Sequence, residues 1–151
     1  MATDADEWHR EVAIGQFNRC WDLIDQADRS PDDEVEMLSA AMTSRWHWAQ
    51  IGGDEQVATG DWQVAHVAAL LGHAELARIH ADRCLAVAET AGWTGWRLAS
   101  AHEGVARAAA VASDTDRSAR HVDAARAALE TEDDPESAQI VMDQLSTIPS
   151  A

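Results

Sequence analysis

Residues 64–89, VAHVAALLGHAELARIHADRCLAVAE, decide the fold, because small and apolar residues recur three to four positions apart on both sides of Gly72. This spacing is typical of amphipathic helices, and a glycine between two helical segments favours a tight turn. The stretch therefore predicts two helices that lie antiparallel. The small side chains of Ala65, Ala68 and Ala77 would allow the two backbones to approach closely.

The same arrangement returns at residues 105–129, VARAAAVASDTDRSARHVDAARAAL, with its turn at Ser113-Asp114. Matching Gly72 to Ser113 gives a repeat spacing of 113 minus 72, or 41 residues. Self-similarity at such a period indicates stacked helical hairpins.

The remaining sequence also predicts helices, since alternating runs of β-branched and aromatic residues are absent. Ser30 and Pro31 are an N-cap followed by a proline at the first helical position, and Asp134-Pro135 repeat that signal. Seven helices are predicted, at about residues 6–28, 31–51, 55–71, 74–91, 95–112, 115–129 and 134–148.

The two related segments resemble tetratricopeptide units over residues 58–130, with a period longer than the standard 34 residues. Asp61 and His102 stand where that family often has tryptophan. The segments around SRWHW and GDWQV, followed by HADRCL and AHEGVARA, are also similar to a group of small bacterial tetratricopeptide-like proteins, which implies a fold and no activity. The resemblance implies a single all-α domain, residues 1–151, built as an antiparallel helix-hairpin array with a right-handed superhelical twist. Its parts would be a degenerate N-terminal pair (6–52), two units (55–91 and 95–130) and a capping helix (134–148).

In tetratricopeptide arrays the first helix of each pair lines a concave groove. The resemblance therefore implies groove-facing positions at Thr59, Trp62, His66, Ala69 and Leu70 in the first unit, and at Ser100, Glu103, Arg107, Ala110 and Val111 in the second. The binding residues among them would be Trp62, His66, Glu103 and Arg107. Trp62 with His66, and Glu103 with Arg107, are i,i+4 pairs that share a helical face. Such a set could bind a peptide, a partner protein or a small polar ligand without catalysis. The alternative is structural: Glu103 and Arg107 would pair with each other on a solvated face, and Trp62 would be ordinary packing.

A small metal-dependent enzyme is the alternative function, with a transition metal ion bound by His66, His80 and Glu103 from different helices. No HExxH, HxxxH or CxxC spacing, phosphate loop or nucleophile elbow occurs in the chain. The sequence therefore favours a binding protein that has no cofactor.

The cluster TSRWHWAQ, residues 43–50, contains two further candidate ligand-binding residues, Arg45 and Trp48. On a helix, Arg45 would fall near the apolar face, and it would need a carboxylate or carbonyl partner there. Trp46 and Trp48 would flank that face as core residues, and His47 would point away from it.

The net charge of −16, with arginine as the only cationic residue type besides histidine, argues against binding to nucleic acid or to an anionic membrane surface. Cys20 and Cys84 are far apart and do not suggest a disulfide framework. Without a signal segment or a long apolar run, a cytoplasmic protein is expected. The alanine-rich faces are compatible with a homodimer.

Overall fold

The computed structural model describes residues 1–150, which form seven α-helices joined by short loops. They are α1 (Asp4–Asp25), α2 (Pro31–Gln50), α3 (Asp54–Leu70), α4 (Ala74–Ala91), α5 (Gly95–Val111), α6 (Thr115–Leu129) and α7 (Pro135–Ser146). The all-α prediction is confirmed, and each predicted helix is found with ends that differ by no more than three residues. Within residues 1–150, no helix is long and apolar enough to cross a membrane.

Neighbouring helices along the chain pack side by side, and the odd-numbered helices make additional contacts with one another. Helix α3 packs against α1 and α5, and α5 packs against α7. Within the described residues, the Cα atoms of α2 and α4 stay more than 8 Å apart, and so do those of α4 and α6, although Arg117 on α6 donates a hydrogen bond to Asp82 on α4 at 2.6 Å. In a stack of hairpins this asymmetry places the odd-numbered helices on the inside of a curved array. We call the surface formed by α1, α3, α5 and α7 the inner face.

The helix ends follow local sequence signals. The Ser30 hydroxyl accepts a hydrogen bond from the backbone N–H of Asp33, and the Asp33 carboxylate accepts one from the N–H of Ser30, which closes the predicted cap of α2. Asp134 caps α7 in the predicted position. Gly72 and Gly92 follow α3 and α4 with positive φ angles of 78° and 69°, a conformation that glycine adopts without strain.

Helix α3 lies at the centre of the array, in contact with α1, α2, α4 and α5. Every residue from Gly60 to Ala69 is buried. Three of them, Asp61, Gln63 and His66, are polar, and a buried polar group is costly unless it is hydrogen-bonded. The stability of α3 therefore depends on the hydrogen-bond partners that surround these three polar groups.

Helix α2 is rotated about its axis relative to the prediction. Trp46 is 53% exposed and His47 only 7%, so the prediction of a core Trp46 and an outward-pointing His47 is wrong. The line of contact instead follows Ala41 and Ser44, and the Ser44 hydroxyl donates to the backbone carbonyl of Ala13 on α1 at 2.7 Å. Ala40, Ala41 and Ser44 are all buried there, and short side chains let the two backbones approach closely.

Gly60 lies where α3 crosses α2. A Cβ built on Gly60 would lie 3.0 Å from both Cα and Cβ of Arg45, which is too close for relaxed packing. We therefore expect Gly60→Ala to lower the free energy of unfolding by about 1–2 kcal/mol, even after the helix-propensity gain of alanine.

The matched control for this substitution is Gly15→Ala, since a Cβ at Gly15 would meet no atom within 4 Å. This change should raise the free energy of unfolding by about 0.5–1 kcal/mol. Urea unfolding followed by circular dichroism measures both variants. Equal stabilities of the two variants would contradict the close crossing at Gly60.

Candidate ligand-binding site

A cavity of about 310 Å³ lies on the inner face, between α1, α3, α5 and α7. Four of the seven tryptophans line it, namely Trp21, Trp62, Trp93 and Trp96. The rest of the wall is formed by Phe17, Thr59, Cys84, Arg97, Ser100, Ala101, Ser137, Ile140, Val141 and Gln144. Small-molecule sites are usually apolar cavities with a few polar groups, and this volume is at the lower end of their range of about 300–1,000 Å³.

Trp62 is held in the cavity wall by contacts with several neighbouring residues. It stacks on Trp21, with ring centroids 5.7 Å apart, and on His66 at 5.2 Å. Its Nε1 donates a hydrogen bond to Oε2 of Glu103 at 3.2 Å. Gly104 lies close to the indole, since a Cβ at this position would be 3.2 Å from Cδ1 of Trp62. These contacts fix the orientation of the ring before any ligand binds.

Glu103 and Arg107 form an ion pair in the interior, with exposed fractions of 0% and 3%. Arg107 Nε donates to Oε1 of Glu103 at 2.7 Å. Arg107 Nη2 donates to the backbone carbonyl of Gln144 and to Oγ1 of Thr147, both at 2.8 Å. Burial raises the pKa of Glu103, and its bonds with Arg107 and Trp62 oppose that rise. The pair connects α5 to the indole on α3 and to the C-terminal end of α7.

The four residues predicted for the groove therefore have different positions. Trp62 lines the cavity, whereas His66, Glu103 and Arg107 do not. Glu103 and Arg107 do pair with each other, but the pair is buried and not on a solvated face. They act on the cavity indirectly, because they hold Trp62 and α7 in place.

His66 is buried behind Trp62 and has an exposed fraction of 6%. Its Nδ1 has no hydrogen-bond partner among the described residues. Burial, together with the nearby charge of Arg107, lowers the pKa of His66 to about 3. The imidazole is therefore neutral at physiological pH and packs as a flat ring in the stack of Trp21 and Trp62.

A second buried polar cluster lies where α2, α3 and α4 meet. Arg45 Nε and His80 Nδ1 both donate to Oδ1 of Asp61, at 2.5 and 2.6 Å, and Arg83 Nε lies 3.6 Å from Oδ2. The expected carboxylate partner of Arg45 is thus confirmed. Burial raises the pKa of Asp61, but the hydrogen bonds from His80 and Arg45 outweigh it and hold the pKa below its usual range. This cluster and the half-buried Trp48 lie outside the cavity wall.

The predicted spacing of 41 residues matches equivalent pairs in the two hairpins. Asp61 and His80 join α3 to α4, and the positions 41 residues later are His102 and His121. The Nδ1 atoms of these two histidines lie 3.0 Å apart between α5 and α6. Both hairpins therefore contain a polar contact between their helices at the same place.

The predicted metal-ligand set is not assembled. Within residues 1–150, no group of three or more His, Cys, Asp or Glu side chains is placed to hold a metal ion. His80 is bonded to Asp61, Glu103 is bonded to Arg107, and His66 lies in the aromatic stack. The alternative in which His66, His80 and Glu103 converge on one metal ion is therefore wrong.

Cys84 is the one thiol in the cavity wall among the described residues. Burial raises the pKa of Cys84 to about 12, and that of Cys20 likewise. Because the thiolate is the reactive form, neither thiol is an effective nucleophile near neutral pH.

Sequence reasoning did not select Trp93, Trp96 and Arg97 as site residues. A signal for two of them was available, because the groove-facing positions predicted on α5 begin at Ser100. Residues three or four positions before Ser100 lie one turn earlier on the same face of the helix. These residues are Arg97 and Trp96.

Comparison of the chain with protein-family models, with curated proteins and with solved structures found no match. The tetratricopeptide resemblance therefore stays a prediction. The function is therefore inferred from the cavity and from the residues that form it.

Proposed function

We propose that the chain is a non-enzymatic binding module, built on a tetratricopeptide-like scaffold, that takes a compact and largely apolar ligand into the inner-face cavity. The observation that carries the proposal is the convergence of four tryptophans from three helices and a loop on one cavity of about 310 Å³. In a core, such rings would be packed against other side chains at high density. Here they surround a space that a ring-sized molecule can fill.

The volume of the cavity favours a small molecule over the peptide or partner protein that the sequence also allowed. A peptide would need a longer groove with polar groups for its backbone, whereas this wall is mostly indole, phenyl and aliphatic carbon. The wall is also held in place in advance, by the stacking of Trp21 on Trp62 and by the bonds from Arg107 to α7. Such preorganisation lowers the ordering cost of binding.

Filling the cavity tests this proposal. The wild-type protein is expected to bind the neutral probe 2-naphthamide with a Kd of about 1 mM or tighter. This value follows from a binding free energy of about 0.3 kcal/mol per non-hydrogen atom of the ligand. Ser100 is part of the wall, so the phenyl ring of Ser100→Phe should occupy the space and weaken binding at least about tenfold, or 1.4 kcal/mol. Isothermal titration calorimetry measures both affinities.

The matched control is Ser39→Phe, at an exposed position on α2 that does not line the cavity. This variant should bind 2-naphthamide as the wild type does. The proposal fails if the wild type does not bind the probe, or if Ser100→Phe binds it unchanged.

A further inference from the structure

Arg97 is the only residue with a charged side chain among the described residues that line the cavity. This is notable in a chain whose net charge is −16, where a carboxylate would be the expected charged neighbour. A guanidinium at the edge of an otherwise uncharged wall offers a site for a ligand carboxylate, to which its planar fork of N–H groups is matched in shape.

Two contacts hold the Arg97 guanidinium in place. Its Cζ lies 4.1 Å from the centroid of the Trp93 ring, so the cation stacks on the indole face. Its Nη2 donates to Oε2 of Glu55 at 2.7 Å. Glu55 does not itself line the cavity, so Arg97 is fixed at the boundary between this exposed carboxylate and the apolar interior.

The hydrogen-bonding capacity of Arg97 is only partly used. A guanidinium has five N–H donors, and the bond to Glu55 is the only one that Arg97 makes to the described residues. The positive charge of Arg97 also acts on Cys84 in the cavity wall, where it opposes the rise in the pKa of this thiol that burial causes. Donors therefore remain for an acceptor on a ligand.

We infer that the ligand of this cavity is a small aromatic carboxylate, whose ring system lies among the tryptophans and whose carboxylate is bound by Arg97. This inference rests on the proposed function, because it names the class of molecule that the same cavity takes. The flat indoles of Trp21 and Trp62 suit a planar ring. A ligand ammonium group is disfavoured, since the face of Trp93 is already covered by the guanidinium and Arg97 would repel a second cation.

The test compares three probes of nearly equal shape: 2-naphthoate, 2-naphthamide and 2-naphthylmethylammonium. Binding to the wild-type protein is measured by calorimetry in about 0.15 M NaCl, where the Debye length of about 8 Å limits long-range repulsion by the acidic surface. The carboxylate is expected to bind at least about tenfold more tightly than the amide, as a charge-assisted hydrogen bond allows. The ammonium probe is expected to bind most weakly.

Two variants assign the preference to Arg97. Arg97→Met keeps a flexible side chain over Trp93 but removes the charge, so 2-naphthoate should lose its tenfold advantage while 2-naphthamide changes less than about twofold. Glu55→Gln removes the carboxylate that competes for the guanidinium, and it should tighten 2-naphthoate binding several-fold. Both positions are partly exposed, and circular dichroism checks that both variants are folded.

The outcomes separate the two proposals. If 2-naphthamide binds but 2-naphthoate binds no more tightly, or if Arg97→Met weakens all three probes equally, the carboxylate inference fails and the binding cavity stands. Tightest binding of the ammonium probe would overturn the inference in favour of a cation site. If 2-naphthamide does not bind to the wild type, the proposed function fails together with the inference.

Discussion

Glu103→Leu is expected to lower the free energy of unfolding by about 3–5 kcal/mol, because it leaves the buried charge of Arg107 without its partner. The substitution also removes the only hydrogen-bond acceptor of Trp62 Nε1 among the described residues. An unsatisfied buried donor costs about 1–3 kcal/mol, and this cost is included in the expected loss of about 3–5 kcal/mol. Since the total stability of a domain is about 5–15 kcal/mol, this single change removes a large part of it.

A double-mutant cycle isolates the pair. Arg107→Met should destabilise by a similar amount, since it leaves Glu103 buried and unpaired, whereas the double variant Glu103→Leu/Arg107→Met should be destabilised less than the sum of the two single variants. Urea unfolding gives the four free energies. Additive effects would show that the two side chains do not stabilise each other.

The control for this cycle is the exposed pair of Glu75 and Arg78 on α4. Its side chains are joined at 2.6 Å, but they are 72% and 45% exposed, so water screens their attraction. Glu75→Leu should change the free energy of unfolding by less than about 1 kcal/mol. The contrast tests burial, since both pairs have similar distances and a similar separation along one helix.

Helix ends were predictable from the sequence because they depend on local chemistry. The cap at Ser30 and the turn at Gly72 each act within a few residues, so their signals are complete in a short window. The requirement for a partner of Arg45 was also predictable, since a cation near an apolar face needs one. Its identity, Asp61, depends on how α3 crosses α2 and could not be read from either helix alone.

The orientation of helices was harder to predict, because it is decided by contacts between distant segments. On α2, Trp46 was predicted to flank the buried face and His47 to point away from it, but the close approach to α1 selected a face with Ala41, Ser44 and His47. On α5, the i,i+4 relation of Glu103 and Arg107 predicted their pairing and not their burial. That burial depends on α7, whose last turn returns to cover Arg107.

The cavity could not be predicted as a whole for the same reason. Its tryptophans come from α1, α3, α5 and the loop before α5, and no sequence window contains them together. The resemblance to tetratricopeptide units did select Trp62 and Ser100 as residues on one surface, and both line the cavity. The resemblance could not distinguish a residue that contacts the cavity from one that is buried beneath the cavity wall.

The second prediction with a large expected effect is that the protein loses stability at acidic pH because of His66. A histidine whose folded-state pKa is lowered keeps the folded state stable above its unfolded pKa of about 6.5, and it destabilises that state as the pH falls below this value. For His66, with a folded pKa of about 3, the loss accumulates at about 1.4 kcal/mol per pH unit between about pH 6.5 and 3. Burial lowers the pKa of His47, His102 and His121 as well, so they act in the same direction.

His66→Phe should therefore make the protein more resistant to acid than the wild type, because phenylalanine keeps a flat ring against Trp62 and cannot be protonated. Near pH 7.5 the two proteins should differ by less than about 1.5 kcal/mol, and at pH 4.5 the variant should have gained about 2–3 kcal/mol relative to the wild type. Urea unfolding from pH 7.5 to 4.5 measures this change. The control Ser39→Phe, which adds a phenyl ring at an exposed position on α2 and removes no histidine, should leave the pH dependence of unfolding unchanged. Parallel curves for wild type and His66→Phe would contradict the assignment, because they would mean that His66 takes up a proton as readily in the folded as in the unfolded chain.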